Sequence, residues 1–281
     1  MKNIQTTFLA AACGLALAFT VSAQDKQGVA TVVRVKGGAS YSLQSGANAK
    51  WIPLVPGKVL VAGATIRTEP NGMVDVVLGK TIQMPQAVST PDRISLAPDS
   101  RVRGMVDYRP SVEQNVIRLS GGTTLKIDTL TVSDTGVDTV SDTELDLQKG
   151  RIFASVKKLS AQSKYLVKIP NGIAGVRGTL FGLGADGWCG VILNSVWLST
   201  VGPNGQVTTV QVNAGHEFNF NNGITLLPPQ LALLLSQISS SLDTLYLQIV
   251  HYAYDRDTHT YISPTSGRFL GGNNNNDNNA D

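Results

Sequence analysis

The sequence predicts an all-β fold, an antiparallel β-sandwich or jelly-roll-like domain, followed by one C-terminal amphipathic α-helix. Between residues 28 and 219, short runs rich in Val, Ile, Thr and Leu alternate with Gly, Pro, Asn and Asp, which is typical of consecutive strands. The last patterned segment instead repeats its apolar residues every three or four positions, the period of a helix. Because each β run is too short to bury a face alone, we expect the strands to share one core.

The chain of 281 residues begins with a segment typical of exported proteins. Lys2 precedes an apolar run over residues 8–21, and Val21-Ser22-Ala23 has the small-x-small pattern of a cleavage site. These features predict a signal peptide over residues 1–23, because the apolar run is too short to span a bilayer. We expect cleavage after Ala23, a periplasmic or secreted location, and no transmembrane helix in the remaining chain. In the alternative, the chain is a lipoprotein acylated at Cys13.

The β domain is expected over residues 24–223, with turns at glycine-containing positions. Gly37-Gly38, between runs at 29–36 and 39–43, predicts a tight hairpin that makes the first two strands antiparallel neighbours. Residues 170–172 and 202–205 carry further turn residues. Residues 105–142 are rich in Thr, Ser, Asp and Gly, and we expect them to form a polar excursion from the main sheet.

A helix is predicted over residues 228–252, with Pro229 as an early helical residue. Its polar opposite face argues against a membrane span. The apolar stripe packs against the β domain or forms an interface with a partner or within a homo-oligomer. The Asn-rich segment 271–281 has the composition of a disordered tail. The stripe contains Leu231, Leu234, Leu235, Ile238, Leu242, Leu245 and Ile249.

Composition excludes some functions. The formal net charge is +3 and no dense run of Lys and Arg occurs, so nucleic acid is not an expected partner. After cleavage Cys189 is the only thiol, and its apolar neighbours predict a buried side chain. No cofactor is indicated.

Catalytic motifs are incomplete. Ser155 and Lys158 have S-x-x-K spacing, but the serine ends a β run and the companion motifs of that enzyme class are missing. Gly79-Lys80-Thr81 resembles the end of a phosphate loop, but Val74 stands at the position of its first glycine. We therefore expect a non-enzyme. The alternative is an envelope polymer hydrolase with paired carboxylates, which are defined by their distance in space.

The histidines give no metal-site pattern. His216, His251 and His259 are scattered, and Asp255 and Asp257 beside His259 are more typical of a solvated loop after the helix than of a metal site. The acidic residues mostly alternate with apolar residues on strands, so we expect them to face solvent.

Several motifs resemble the FecR domain family, an extracytoplasmic β domain, from about residue 28 to 220. The motif that carries this resemblance is Val176-Arg177-Gly178-Thr179 with Phe181. The supporting fragments, in order, are W-x-P-L at 51–54, P-G-x-V-L at 56–60, A-G-A-x-I-x-T at 62–68, L-x-L-x-x-G-R-I at 145–152 and P-N-G at 170–172.

The resemblance implies a β domain that acts outside the inner membrane. In the classical members it relays a signal to a sigma factor, which requires a transmembrane helix. Since a cleavable signal is predicted here, we expect a non-catalytic binding or scaffold module in envelope signalling or assembly, with an envelope protein or cell-wall glycan as partner. Strand alternation places Arg177 on one face with Thr179 and Phe181. On an inward face the guanidinium needs acceptors, so we expect Arg177 to link strands rather than bind a ligand.

Overall fold

The computed structural model describes residues 26–44, 46, 49–82, 114–135, 138–202 and 204–258. The predicted signal peptide with Cys13, the residues 105–113 and the Asn-rich segment 271–281 lie outside these residues. The described chain is mostly β, with two sheets and one helix near the C terminus, which confirms the predicted fold class.

Most neighbouring strands in each sheet follow the order of the chain, except at the end of each sheet that holds its first strands. Sheet A runs β17-β16-β13-β12-β10-β9-β6-β3-β4, with β1 beside β9. Its strands are β1 (Lys26–Gln27), β3 (Ala39–Ser42), β4 (Ile52–Pro53), β6 (Thr65–Thr68), β9 (Thr124–Asp134), β10 (Thr139–Lys149), β12 (Lys164–Ile169), β13 (Gly172–Val176), β16 (Ser195–Val201) and β17 (Val207–Asn213).

Sheet B runs β19-β18-β15-β14-β11-β8-β7-β2-β5. All strand pairs of both sheets are antiparallel except β10 and β12, which are parallel. The strands of sheet B are β2 (Val29–Lys36), β5 (Val59–Leu60), β7 (Met73–Gly79), β8 (Asn115–Leu119), β11 (Arg151–Ser155), β14 (Leu180–Gly184), β15 (Cys189–Leu193), β18 (His216–Asn219) and β19 (Gly223–Leu226).

The chain changes sheet after every one or two strands, and the core lies between the two sheets. Buried side chains of sheet A, such as Ile66 and Leu145, belong to the same apolar cluster as Ile117 and Phe181 of sheet B. Because a sheet can bury its apolar face only against another layer, the two sheets depend on each other.

The predicted hairpin at Gly37-Gly38 is wrong. β2 lies in sheet B and β3 in sheet A, so the two glycines carry the chain across the core. Gly37 has a φ of 66°, and the Glu69 amide donates to the Gly38 carbonyl at 2.9 Å. Such a glycine pair permits a hairpin or a corner, and the pairing of β2 with β7 and of β3 with β6 selects the corner.

The described part of residues 105–142 is not an excursion. It contains β8, β9 and the start of β10, which lie inside the two sheets. Leu125, Ile127, Leu130 and Val132 are buried, and a register irregularity in the β9–β10 ladder separates the first two from the last two. The bulge interrupts the alternation of apolar and polar residues along the strand. The polar residues of the outer face therefore made this segment resemble a loop in the sequence.

The helix α1 spans Pro229–Thr258, so it begins one residue after the predicted start at 228 and continues six residues beyond Tyr252. It contacts β8, β11, β14 and β15 of sheet B. Leu235 and Leu242 are buried there, whereas Leu234 is 46% exposed. Packing against the β domain, the first of the two predicted roles of the stripe, is therefore the one observed.

Tyr165→Phe should stabilise the protein, with a free energy of unfolding about 1 kcal/mol larger than that of the wild type. The side chain of Tyr165 is 1% exposed, and no described group accepts or donates a hydrogen bond at its hydroxyl. Burial also raises the pKa of Tyr165. Urea unfolding measures the change, and a loss of more than about 1 kcal/mol would show that the hydroxyl is hydrogen-bonded.

Candidate functional site

The motif with Arg177 forms a corner between the two sheets. Val176 ends β13 of sheet A, and Phe181 lies in β14 of sheet B. Between them Gly178 has a φ of 69°, a conformation that favours glycine. Val176, Thr179 and Phe181 are buried, so the motif anchors both ends of the crossing.

Hydrogen bonds from both flanks fix this corner. The Thr179 hydroxyl donates to the carbonyl of Ser195 at 2.9 Å, and the Val156 amide donates to the Thr179 carbonyl at 2.9 Å. The Asn194 side-chain amide donates to the carbonyl of Gly178. The corner therefore joins the connections that precede β12, β14 and β16.

The expected inward position of Arg177 is wrong. Its residue is exposed, and no hydrogen bond or ion pair to it occurs among the described residues. Arg177 follows the last residue of β13, and the positive φ of Gly178 ends the strand alternation on which the expectation depended. The guanidinium is therefore free to meet solvent or a partner, whereas the corner depends on Gly178 and Thr179.

A buried carboxylate on sheet B carries the charge network that the sequence did not reveal. The Asp75 side chain is 0% exposed, and it pairs with Arg34 at 2.5 Å and Arg118 at 2.7 Å. Both guanidinium groups also donate to the hydroxyl of Ser241 at 3.2 Å. We expected strand carboxylates to face solvent; Asp75 instead lies under α1 because two arginines of neighbouring strands compensate its charge.

A second contact near the same helix comes from Lys157, whose ammonium group lies 3.5 Å from the Asp243 carboxylate. Both partners are partly exposed, so this pair adds little stability alone. It adds a second contact between α1 and the β domain, in the connection after β11. The helix therefore covers part of the outer face of sheet B.

Trp188 covers another part of that face. A Cβ atom built on Gly182 or on Gly190, which are cross-strand partners, would lie 2.9 or 2.8 Å from its ring. The indole N–H donates to Glu217 at 2.9 Å, and the guanidinium of Arg151 lies 4.9 Å from the ring centroid. The indole of Trp188 thus packs directly on the backbone of the two glycines, a role that the sequence pattern did not indicate.

The outer face of sheet A carries a partly exposed ion network. Lys126 lies 2.7 Å from Asp128, and Lys168 lies 3.3 Å from Asp128 and 2.6 Å from Glu144. Burial opposes ionisation of Asp128, but the hydrogen bonds and charges of both lysines outweigh it, so its pKa is lowered. Hydrogen bonds to Glu144 and Asp128 raise the pKa of Lys168.

The same face also presents a large exposed aromatic side chain. Trp197 of β16 is 56% exposed, and its cross-strand neighbours are Gly175 on one side and Gln211 on the other. Because Gly175 has no side chain, one side of the indole has no cross-strand cover. Val201 and Val207 are cross-strand partners and are 44% and 66% exposed. No described element packs over this end of sheet A.

The catalytic candidates do not assemble into a reactive site among the residues described. Ser155 ends β11, with Lys157 rather than Lys158 at 3.4 Å from its hydroxyl. His216 has its Nδ1 3.1 Å from the carbonyl of Ala214. Cys189 is buried as predicted, and burial raises the pKa of its thiol to about 12.

The remaining candidates lie at the end of the chain. The backbone of His251, Asp255 and Asp257 is helical in α1, which corrects the expected loop, and His259 lies outside the described residues. No group of three or more His, Cys, Asp or Glu side chains has metal-site geometry in the part of the chain that the structure describes. Within the same residues, no helix combines the length and the hydropathy of a membrane span.

The fold and the corner define a two-sheet β module, and part of it matches a known family. Residues 110–192 match the family described as FecR protein. The match includes the corner motif and confirms the resemblance. Three of the five supporting fragments, at 51–68, lie before the matched residues.

Two crystal structures of a candidate anti-sigma factor from Parabacteroides distasonis are similar. One is 17% identical over 41% of this chain, with a TM-score of 0.30, and the other is 15% identical over 63%, with a TM-score of 0.36. This chain spans 53% and 70% of their lengths. No curated protein matches the sequence significantly. The likeness to the FecR family is therefore shown for residues 110–192.

The ion network on sheet A predicts a defined pH dependence for Lys168→Met. The lowered pKa of Asp128 gives a contribution to stability that is present above about pH 4 and is lost as pH falls through the folded-state pKa. The raised pKa of Lys168 gives a contribution to stability that is present below about pH 10.4 and is lost as pH rises through the folded-state pKa. The loss of unfolding free energy in Lys168→Met should therefore be greatest near neutral pH.

Urea unfolding across this pH range measures the difference from the wild type. The matched control is Lys164→Met, which changes an exposed lysine of the same strand. An equal effect of both variants at every pH would contradict the network.

Proposed function

We propose that this protein is a non-catalytic binding module of the cell envelope that acts in envelope signalling by contacting a partner protein through the outer face of sheet A. The FecR-family match supports a role in envelope signalling. The predicted signal peptide supports an extracytoplasmic location. The observation that carries the proposal is the exposed Trp197 on a face over which no described element packs.

A protein is the partner that this face fits. Tryptophan is enriched among the residues that dominate binding energy at protein interfaces, because it buries a large rigid surface. Further along the same face, beyond the polar pair of Ser199 and Thr209, the exposed valines Val201 and Val207 add apolar area. Ser195 and Gln211, hydrogen-bonded at 3.1 Å, lie beside Trp197 as a polar border. Sheet B is less available for such a contact because α1 and Trp188 cover part of it.

The hydrolase alternative has no observation in its favour. Asp75, Asp128, Glu144, Asp186 and Asp243 all lie in ion pairs with Arg or Lys side chains. A general acid needs a raised pKa at its carboxyl group, whereas Lys126 and Lys168 lower the pKa of Asp128. The binding role therefore fits the described residues better.

Trp197→Ala should reduce capture of the partner protein from an envelope extract by at least about tenfold, the effect of removing an interface residue worth about 1.4 kcal/mol or more. Quantitative mass spectrometry of proteins retained on the immobilised chain measures the loss. Val55→Ala is the matched control, since Val55 is 58% exposed and lies in the connection between β4 and β5.

Three outcomes would contradict the proposal. One is capture of the same proteins in the same amounts by the Trp197→Ala variant and the wild type. Another is retention of cell-wall glycan instead of protein. The third is measurable hydrolysis of envelope polymer by the purified chain.

A further inference from the structure

The edge strand β17 is the least protected end of either sheet. Among the described strands, sheet A ends at β17 and β4, and sheet B ends at β19 and β5. β4 and β5 have two residues each, β4 contains Pro53, and β19 has four residues. β17 has seven residues, Val207–Asn213. Open edges attract other strands unless shortness, proline or charge prevents pairing, and β17 has none of these protections.

The sequence around this edge is uncharged. Residues 187–215 contain no Asp, Glu, Lys, Arg or His. β17 itself is composed of Val, Thr, Gln and Asn, and Val207, Thr208, Thr209 and Gln211 are exposed. Valine and threonine are strand-forming residues, so the strand offers unpaired backbone groups in a conformation suited to a further ladder.

The lack of charge selects the occupant. When a strand pairs antiparallel with its own copy about a two-fold axis, side chains near the axis face themselves or close neighbours, so any charge would face a like charge. β17 avoids this repulsion, and its threonines and valines form favourable cross-strand pairs. We infer that β17 is a dimerisation edge, at which two copies of this chain pair antiparallel and join their A sheets into one.

This interface differs from the helical one expected from the sequence. The buried residues of α1, Leu235 and Leu242, are already used against sheet B. At β17, in contrast, the backbone edge is open among the described residues, and the exposed Val207 adds apolar area beside it. The dimer would leave the Trp197 face open to solvent on both copies.

Sedimentation velocity of the full chain, without any partner, tests this inference separately from the capture experiment. The wild type should show a concentration-dependent dimer. Thr209→Lys with Gln211→Lys should raise the dimer dissociation constant by roughly tenfold or more, because it places like charges across the edge. Thr209→Glu with Gln211→Glu should do the same, and a mixture of the two variants should restore the dimer as a heterodimer.

The matched control carries the charges one strand further in. Ser199→Lys with Val201→Lys places two lysines on β16, on the same face but away from the edge, and should leave the dimer intact. A wild type that stays monomeric at all concentrations would overturn the inference and leave a strand of another protein as the occupant. Dimers that persist in both edge variants, or that are lost only with the β16 lysines, would also overturn it.

Discussion

The interaction on which the arrangement of this protein depends is the buried carboxylate of Asp75 between two arginines. A carboxylate with no solvent exposure is costly unless charge and hydrogen bonds compensate it. Arg34 and Arg118, on the two strands that flank β7, supply that compensation. The network then extends from the sheet to the helix through Ser241. Three strands and α1 are thereby fixed by one charged group.

This constraint gives the two outer faces different roles. On sheet B, the arginines bind the helix through Ser241, and the indole of Trp188 packs on the glycines of β14 and β15. On sheet A, lysines and carboxylates form a partly solvated network, and Trp197 remains exposed. The two contacts that we propose, with a partner protein at the face of sheet A and with a second copy at the edge strand β17, both lie on sheet A.

The sequence predicted the elements better than their arrangement. Local composition and period predicted the all-β class, a C-terminal helix with Pro229 in its first turn, and the family resemblance, because these depend on neighbouring residues. The corner at Gly37-Gly38 was predicted as a hairpin because the glycines permit both geometries. The bulge in the β9–β10 ladder interrupted the alternation and concealed two long strands of sheet A.

The candidate site shows the same division. Val176, Gly178, Thr179 and Phe181 were recognised from a local motif, but the direction of Arg177 depends on a positive φ that ends the strand. The burial of Asp75 could not be predicted either, because its partners come from positions 34, 118 and 241. Alternation correctly placed Asp75 on an outer face, and only the docking of a distant helix makes that face an interior.

Hydrogen exchange of α1 in the Ser241→Ala variant tests the link between Asp75 and the helix most directly. This change removes the hydroxyl that accepts from both arginines and leaves their ion pairs with Asp75 in place. The account predicts that helix amides around residues 235–244 exchange about fivefold faster, the effect of losing about 1 kcal/mol, while β7 and β8 exchange at the wild-type rate. Unchanged exchange of the helix would contradict it.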